Sequence, residues 1–507
     1  MRLFWWGYWA FVLVYAGLVA WLLPYRQWDP DEFEHLQASW LIGEGLTPYR
    51  DFFEHHTPLW HLLTSAVFHV VEPNSFERAT ALMVGFRAVS FLCSAAIAAL
   101  TWSLARRFAG PTVAAFALLL LLASSPFMQK GVEIRPDPLS TLCILMAVYA
   151  LARAFARPVQ EAGPALRPAG SVAVWVALAG GMGTLAVLAS QKALFAGPGL
   201  AVALLWLAGR RAGPGRAVVL AAWATAGAAV AAAPILAFFA ARGALGAFVH
   251  HNFLLNAAWT RDKADDYIWQ VLTPRYDGVV VALALVGVAL LIWKLRRPDR
   301  HEVWALIAAP LLSLIAGLAI LPVPQKQYIF MMMPLAAICG ALAVCHPPIA
   351  WGARPRSLGR AALAGVIVLS MARNLEWSFY RTDADTRAKF AFLLQNVPPD
   401  ETVMGSWSPG VAFRHPAWTY FFLHGEVQSM IPSAEYRTLA EKLQTGAIRP
   451  ALVDFDRFMS QMPPDVLAEI KRLYEPTEVA NLWKRRSPPP RPTVLTDLAT
   501  GGFAAAP

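Results

Sequence analysis

Four acids occupy six positions at Asp29, Asp31, Glu32 and Glu34, within the run Trp28-Asp29-Pro30-Asp31-Glu32-Phe33-Glu34-His35. A carboxylate at a boundary between water and lipid can serve as general base toward a hydroxyl. Further along, Glu54-His55-His56 offers oxygen and imidazole ligands for a divalent metal ion, although adjacent histidines often only hydrogen-bond locally. Basic residues complete the chemistry. Lys192 interrupts a long apolar stretch, Lys326 lies between Pro324 and Tyr328, and Arg261, Lys263 and Arg275 share one polar segment. A lysine at the end of a span can simply snorkel to the interface. Acids that activate a nucleophile and cations that hold an anionic leaving group would together suit group transfer from a lipid phosphate. The plain alternative is an acidic loop solvated for topology.

These residues must be positioned by membrane helices. Of 507 residues, 57% are hydrophobic and 15% charged, which excludes an ordinary soluble domain. Eleven apolar stretches are long enough to span or nearly span a bilayer: 5–24, 81–104, 112–126, 138–152, 171–189, 193–208, 217–241, 278–293, 303–321, 328–345 and 361–377. The first has only Arg2 before it and no small-residue cleavage site after it, so it is expected to be a retained anchor. The loops near 105–111, 153–170, 209–216, 294–302 and 346–360 carry fifteen basic and three acidic residues. By the positive-inside rule these face the cytoplasm, as does the N-terminus. The net charge of +10 thus records orientation and supports no nucleic-acid partner. The four cysteines lack metal-like spacing.

The opposite face receives a first loop over 25–80. Phe33, Leu36, Trp40 and Leu41 recur at helical spacing up to Gly43, and Thr57-Pro58 can cap and start a second helix reaching Val71. Both are expected to lie at the interface. The domain plan is a transmembrane catalytic unit over 1–377, a small water-soluble α/β unit over 378–486, and a disordered Pro-rich tail over 487–507. In the soluble unit, strands are expected near 402–404 and 451–453 and helices over 384–396, 433–445 and 465–474.

Five segments, taken in order, resemble the GT-C superfamily: Trp28-Asp29-Pro30-Asp31-Glu32, Phe53-Glu54-His55-His56-Thr57-Pro58-Leu59, Arg135-Pro136-Asp137-Pro138, Leu188-Ala189-Ser190-Gln191-Lys192, and Lys326-Gln327-Tyr328 with Pro334. The resemblance is greatest to the branch of lipid A aminoarabinose transferases and protein O-mannosyltransferases, and covers the membrane region. It implies a polytopic, mostly α protein of the bacterial cytoplasmic membrane with its active site and C-terminal domain on the periplasmic side. The implied reaction is inverting transfer of a sugar from a polyprenyl-phosphate donor to a hydroxyl of a lipid, glycan or protein. On that analogy Asp31 is the base, with Asp29 a rival and Glu32 beside them in the catalytic motif. Lys192, Lys326 and Tyr328 would contact donor phosphate or sugar, with His250, His251 and Arg261 in the same cavity. Asp137, Arg135 and Glu54 would support the site. Where the family has Lys-Pro-Pro after the second acid, this chain has His55-His56-Thr57-Pro58, which removes a cation. From another class, a transporter or flippase of lipid-linked sugars competes, but its ionisable residues would sit near the bilayer midplane between repeats.

Overall fold

The computed structural model describes residues 2–155, 169–258, 278–294, 304–320, 326–346, 353–379, 383–405, 409–421, 428, 431–455 and 459–487. It forms two compact units. One is Met1–Pro73 with Glu77–Asp383, and the other is Asn74–Phe76 with Ala384–Pro507. The Pro-rich tail from 488 onward lies outside the described residues.

Among the described residues of the first unit, eight helices are long and apolar enough to cross a membrane, and three shorter apolar helices accompany them, in line with the eleven expected stretches. The helices that matter for the site are α1 (Arg2–Leu22), α2 (Pro30–Gly43), α3 (Leu59–Ser65), α4 (Phe76–Ala109), α5 (Pro111–Ala123), α6 (Ser125–Lys130), α7 (Pro136–Phe155), α8 (Ala169–Ala189), α9 (Gly197–Ala212) and α10 (Pro214–Ala241). The chain is an integral membrane protein. Leu3, Phe4, Trp6, Leu13 and Trp21 of α1 and Val218, Val219 and Val230 of α10 are exposed, as helices bathed in lipid require.

Helix approach in this bundle depends on small residues, because lipid is as apolar as any side chain and only close packing favours contact. A Cβ placed on Gly180 of α8 would lie 1.9 Å from the Ala224 carbonyl oxygen of α10. One on Gly227 of α10 would lie 1.9 Å from that of Ala177. The two helices therefore meet backbone to backbone, each supplying a glycine where the other's carbonyl arrives.

The first loop holds both expected helices, each with a difference. The pattern predicts one apolar face for α2, but Glu32, Glu34, His35, Gln37 and Ser39 are buried as well. Partners make that affordable: His35 Nδ1 lies 3.1 Å from His61 Nε2, and Ser39 Oγ lies 2.7 Å from Thr64 Oγ1 of α3. The second helix starts at Leu59, with Pro58 at its cap position, so Thr57 does not cap it. It continues as a 3₁₀ turn, Ala66–His69.

Among the described residues the second unit contains a five-stranded sheet in the order β2-β1-β3-β5-β4, with β1 (Thr402–Gly405), β2 (His415–Pro416), β3 (Leu452–Asp454), β4 (Tyr474–Pro476) and β5 (Leu482–Arg485). β1 runs parallel to β2 and β3, while β5 pairs antiparallel with β3 and β4. Helices Ala384–Asn396, Ser433–Thr445 and Pro464–Leu473 stand where the sequence predicts them. β2, β4 and β5 are too short or too polar to announce themselves.

Candidate active site

The start of α2 is fixed by its own sequence. Asp29 is the N-cap, its carboxylate accepts from the Asp31 amide at 3.1 Å, and Glu32 reaches back to the Asp29 amide at 2.9 Å. Asp-Pro-Asp-Glu is thus a capping box with proline in the first turn. Glu32 is also gripped from α4. Arg87 donates from Nε to Glu32 Oε1 at 2.8 Å and from Nη2 to Glu32 Oε2 at 2.6 Å. Its other N–H groups reach the carbonyls of Leu23, Arg26 and Gln27 at 2.9, 2.9 and 3.0 Å. Although burial opposes it, Arg87 holds the Glu32 carboxyl below its ordinary range.

This corrects the expectation for Glu32. Its carboxylate is wholly enclosed and also accepts from the Ile134 amide at 3.1 Å, so no oxygen is left to meet a substrate. Glu32 positions its neighbours.

Asp29 and Asp31 differ from it in retaining side-chain exposure of 27% and 20%. Asp31 pairs with Arg135, whose Nε lies 3.2 Å from Asp137 Oδ2. Lys192 Nζ approaches the other oxygen, Asp137 Oδ1, at 3.2 Å, and sits 4.6 Å above the Tyr328 ring. Asp31, Arg135, Asp137, Lys192 and Tyr328 therefore form one chain of contacts. Asp29 has its own cation, Lys130, at 3.4 Å, and Lys130 also meets Glu133 at 2.7 Å. Burial pushes the Asp29 carboxyl up to about 6, with Lys130 opposing.

Beside this chain lies a second cluster. Glu54 Oε1 accepts from the amides of His55 and His56, each at 2.9 Å, and lies 2.9 Å from His56 Nδ1. Glu34 Oε1 lies 3.4 Å from His56 Nδ1 and 3.8 Å from His55 Nδ1. Ligand atoms of Glu34, Glu54, His55 and His56 all fall within 4.8 Å of one another. Two carboxylates and two imidazoles suit a borderline divalent ion such as zinc, so by donor type and proximity the four fit one. The same atoms can instead be satisfied by a proton. Against the cost of burying charge, Glu34 and Glu54 push the His56 imidazole up to about 10. Burial in turn drives His61 down to about 4. Glu34 joins this group only through the fold.

His251 belongs to the same neighbourhood, its ring 5.4 Å from that of Phe53 and 6.0 Å from that of Tyr49. His250 is exposed, 5.5 Å from His251. Lys326 begins the helix Lys326–Cys345, but its side chain, like all of Arg261, lies outside the described residues. Arg87, Lys130 and Glu133 were not among the sequence candidates. Arg87 had a signal, since an arginine eleven residues into an apolar helix is costly unless it has a task.

No family model and no curated protein sequence matches the chain. Solved structures do. ArnT from Cupriavidus metallidurans bound to undecaprenyl phosphate aligns at 14% identity over 94% of this chain and 97% of its own, with a TM-score of 0.66. The archaeal oligosaccharyltransferase AglB from Archaeoglobus fulgidus, in complex with an inhibitory peptide and a dolichol-phosphate, aligns at 13% identity over 95% and 74%, with a TM-score of 0.55. Another Archaeoglobus fulgidus oligosaccharyltransferase structure, a complex with Zn and sulfate, aligns at 14% identity over 91% and 71%, with a TM-score of 0.52. At such identities the likeness speaks for architecture alone: this protein shares the fold of ArnT and of the archaeal oligosaccharyltransferases.

Proposed function

We propose that the chain is an inverting glycosyltransferase that moves a sugar from a polyprenyl-phosphate donor to an acceptor hydroxyl on the extracytoplasmic face of the membrane. One observation carries the reading: two partly exposed carboxylates, Asp29 and Asp31, stand on a rigid capping box beside buried cations in a GT-C fold. The bound lipid phosphates of ArnT and AglB support the donor class. The charge surplus of the opposite loops supports the sidedness of the site and of the C-terminal domain.

Asp31 takes the acceptor's hydroxyl proton as its oxygen forms a bond to the anomeric carbon. The bond from that carbon to the phosphate oxygen breaks on the far side, and polyprenyl phosphate leaves with the electron pair, so configuration inverts. Lys192 has three N–H donors, and its contacts with Asp137 and Tyr328 leave capacity for a phosphate oxygen. Asp29 shares the face and is the alternative base. Glu34, Glu54, His55 and His56 would hold a divalent ion, which would supply positive charge beside the reacting groups when bound.

The test is mass spectrometry of lipid, glycan and protein fractions from membranes with and without the protein, given a lipid-linked sugar. A product heavier by one glycosyl unit, made only with the protein, is expected. An unchanged product set with the lipid-linked sugar relocated across the bilayer would refute the reading in favour of transport. Full activity in a preparation free of metal by elemental analysis would remove the ion.

A further inference from the structure

Around the segment Glu54–Thr57, polar atoms are buried without partners among the described residues. They are Glu54 Oε2, Thr57 Oγ1, Ser190 Oγ, Gln191 Oε1, His251 Nδ1 and Asn252 Oδ1. Glu54, Thr57, Ser190 and Asn252 are at most 2% exposed. Leaving such a group unpaired costs about 1–3 kcal/mol, and native proteins hold few of them. Six around one segment calls for a reason.

The residues come from three elements fastened together. Gln191 Nε2 and Asn256 Nδ2 both donate to the His55 carbonyl, each at 3.0 Å. The Tyr49 hydroxyl donates to the His56 carbonyl at 2.7 Å, from a backbone held at φ 69°, a conformation a bulky residue rarely accepts. His251 and Asn252 sit in a π-helical turn, His250–Leu255, a local widening often found at binding sites. These features hold the unpaired atoms in place.

Most of these atoms are acceptors. Gln191 and Asn252 each donate an amide N–H, to the carbonyls of His55 and Phe248, and their unpaired atoms are the amide oxygens. His251 Nδ1, also without a partner, accepts in the tautomer that carries the proton on Nε2. Glu54 Oε2 only accepts, and the Thr57 and Ser190 hydroxyls can do so. A phosphate, which brings only acceptors and negative charge, is the wrong occupant.

We propose that Glu54, Thr57, Ser190, Gln191, His251 and Asn252 form a carbohydrate subsite that binds a glycosyl ring by accepting hydrogen bonds from its hydroxyl groups. This rests on the glycosyl-transfer reading and deepens it. It assigns His251 to sugar and leaves phosphate to Lys192. The sugar's hydroxyls would supply the donors that these acceptors lack.

The experiment is saturation-transfer NMR of the full-length protein in detergent with methyl glycosides of a hexose, a pentose and an amino sugar, and inorganic phosphate as competitor. Asn252→Leu and the near-isosteric Thr57→Val are compared with the parent, together with melting temperature and bound metal. At least one glycoside should bind, phosphate should not displace it, and either substitution should weaken binding tenfold or more while the melting temperature holds or rises. A purely structural role would lower the melting temperature and spare binding, which would overturn the proposal. So would binding of no glycoside, or loss from the substituted proteins of a metal ion bound to the parent. Glycoside binding that depends on Asn252 in a protein making no transfer product would keep the subsite and reject the reaction. Transfer with an unchanged donor KM in both variants would reject the subsite and keep the reaction.

Discussion

Glu32→Gln separates a positioning acid from a catalytic one. In the folded protein the Glu32–Arg87 pair is enclosed on all sides, and Arg87 uses its five N–H groups on Glu32 and three carbonyls of the segment leading into α2. Removing one charge strands the other in the interior, which costs roughly 3–5 kcal/mol in comparable buried pairs. A glutamine of the same shape keeps the link to the Ile134 amide but must turn one N–H toward Arg87. Stability measured by thermal unfolding in detergent should therefore drop by that amount, a shift of about 3–5 °C for a chain of this length. Transfer should fall through displacement of Asp29 and Asp31. The double variant Glu32→Gln with Arg87→Gln leaves no unpaired charge, so it should recover part of the stability that either single variant loses. Loss of transfer by Glu32→Gln at an unchanged melting temperature would refute the reasoning and return Glu32 to the catalytic group.

Three further outcomes follow from the geometry. Lys192→Ala should raise the KM for the lipid-linked donor about tenfold or more and reduce the rate, since it removes a charge-assisted phosphate contact; unaltered donor kinetics would exclude the contact. In metal-free protein the His56 imidazole is raised from its ordinary 6.5 to about 10. Its contribution to stability is present in full below pH 6.5 and is lost as pH rises through about 10, so thermal unfolding across that range should show the loss, and His56→Gln should flatten it. Gly180→Ala would drive a methyl group into the Ala224 carbonyl, and overpacking of that kind costs about 1–3 kcal/mol or more, measurable as a lower melting temperature.

Much of this fold was legible in the sequence because bilayer thickness dictates span length, and apolar runs with basic loops betray it. The helices of the second unit were legible from periodicity. Asp31, Arg135, Asp137 and Lys192 stand in one chain of contacts, with Asp29 paired to Lys130, although they are far apart in sequence. Long-range pairing was hidden. Nothing local tells that Arg87 reaches back to Glu32, or that Glu34 turns toward His55 and His56. The capping box at Asp29 to Glu32 was legible in principle, since an acid three residues before a glutamate marks a helix start. Thr57-Pro58 misled because the helix starts one residue later than they imply, with Pro58 in the cap position and no side-chain cap bond.

The most direct test of the central claim is single-turnover transfer by purified Asp31→Asn, with lipid-linked sugar and acceptor, at a melting temperature matched to the parent. General-base catalysis contributes about 10²- to 10⁴-fold, so the transfer rate should fall by that factor while donor binding persists. A rate within a few-fold of the parent would contradict the account.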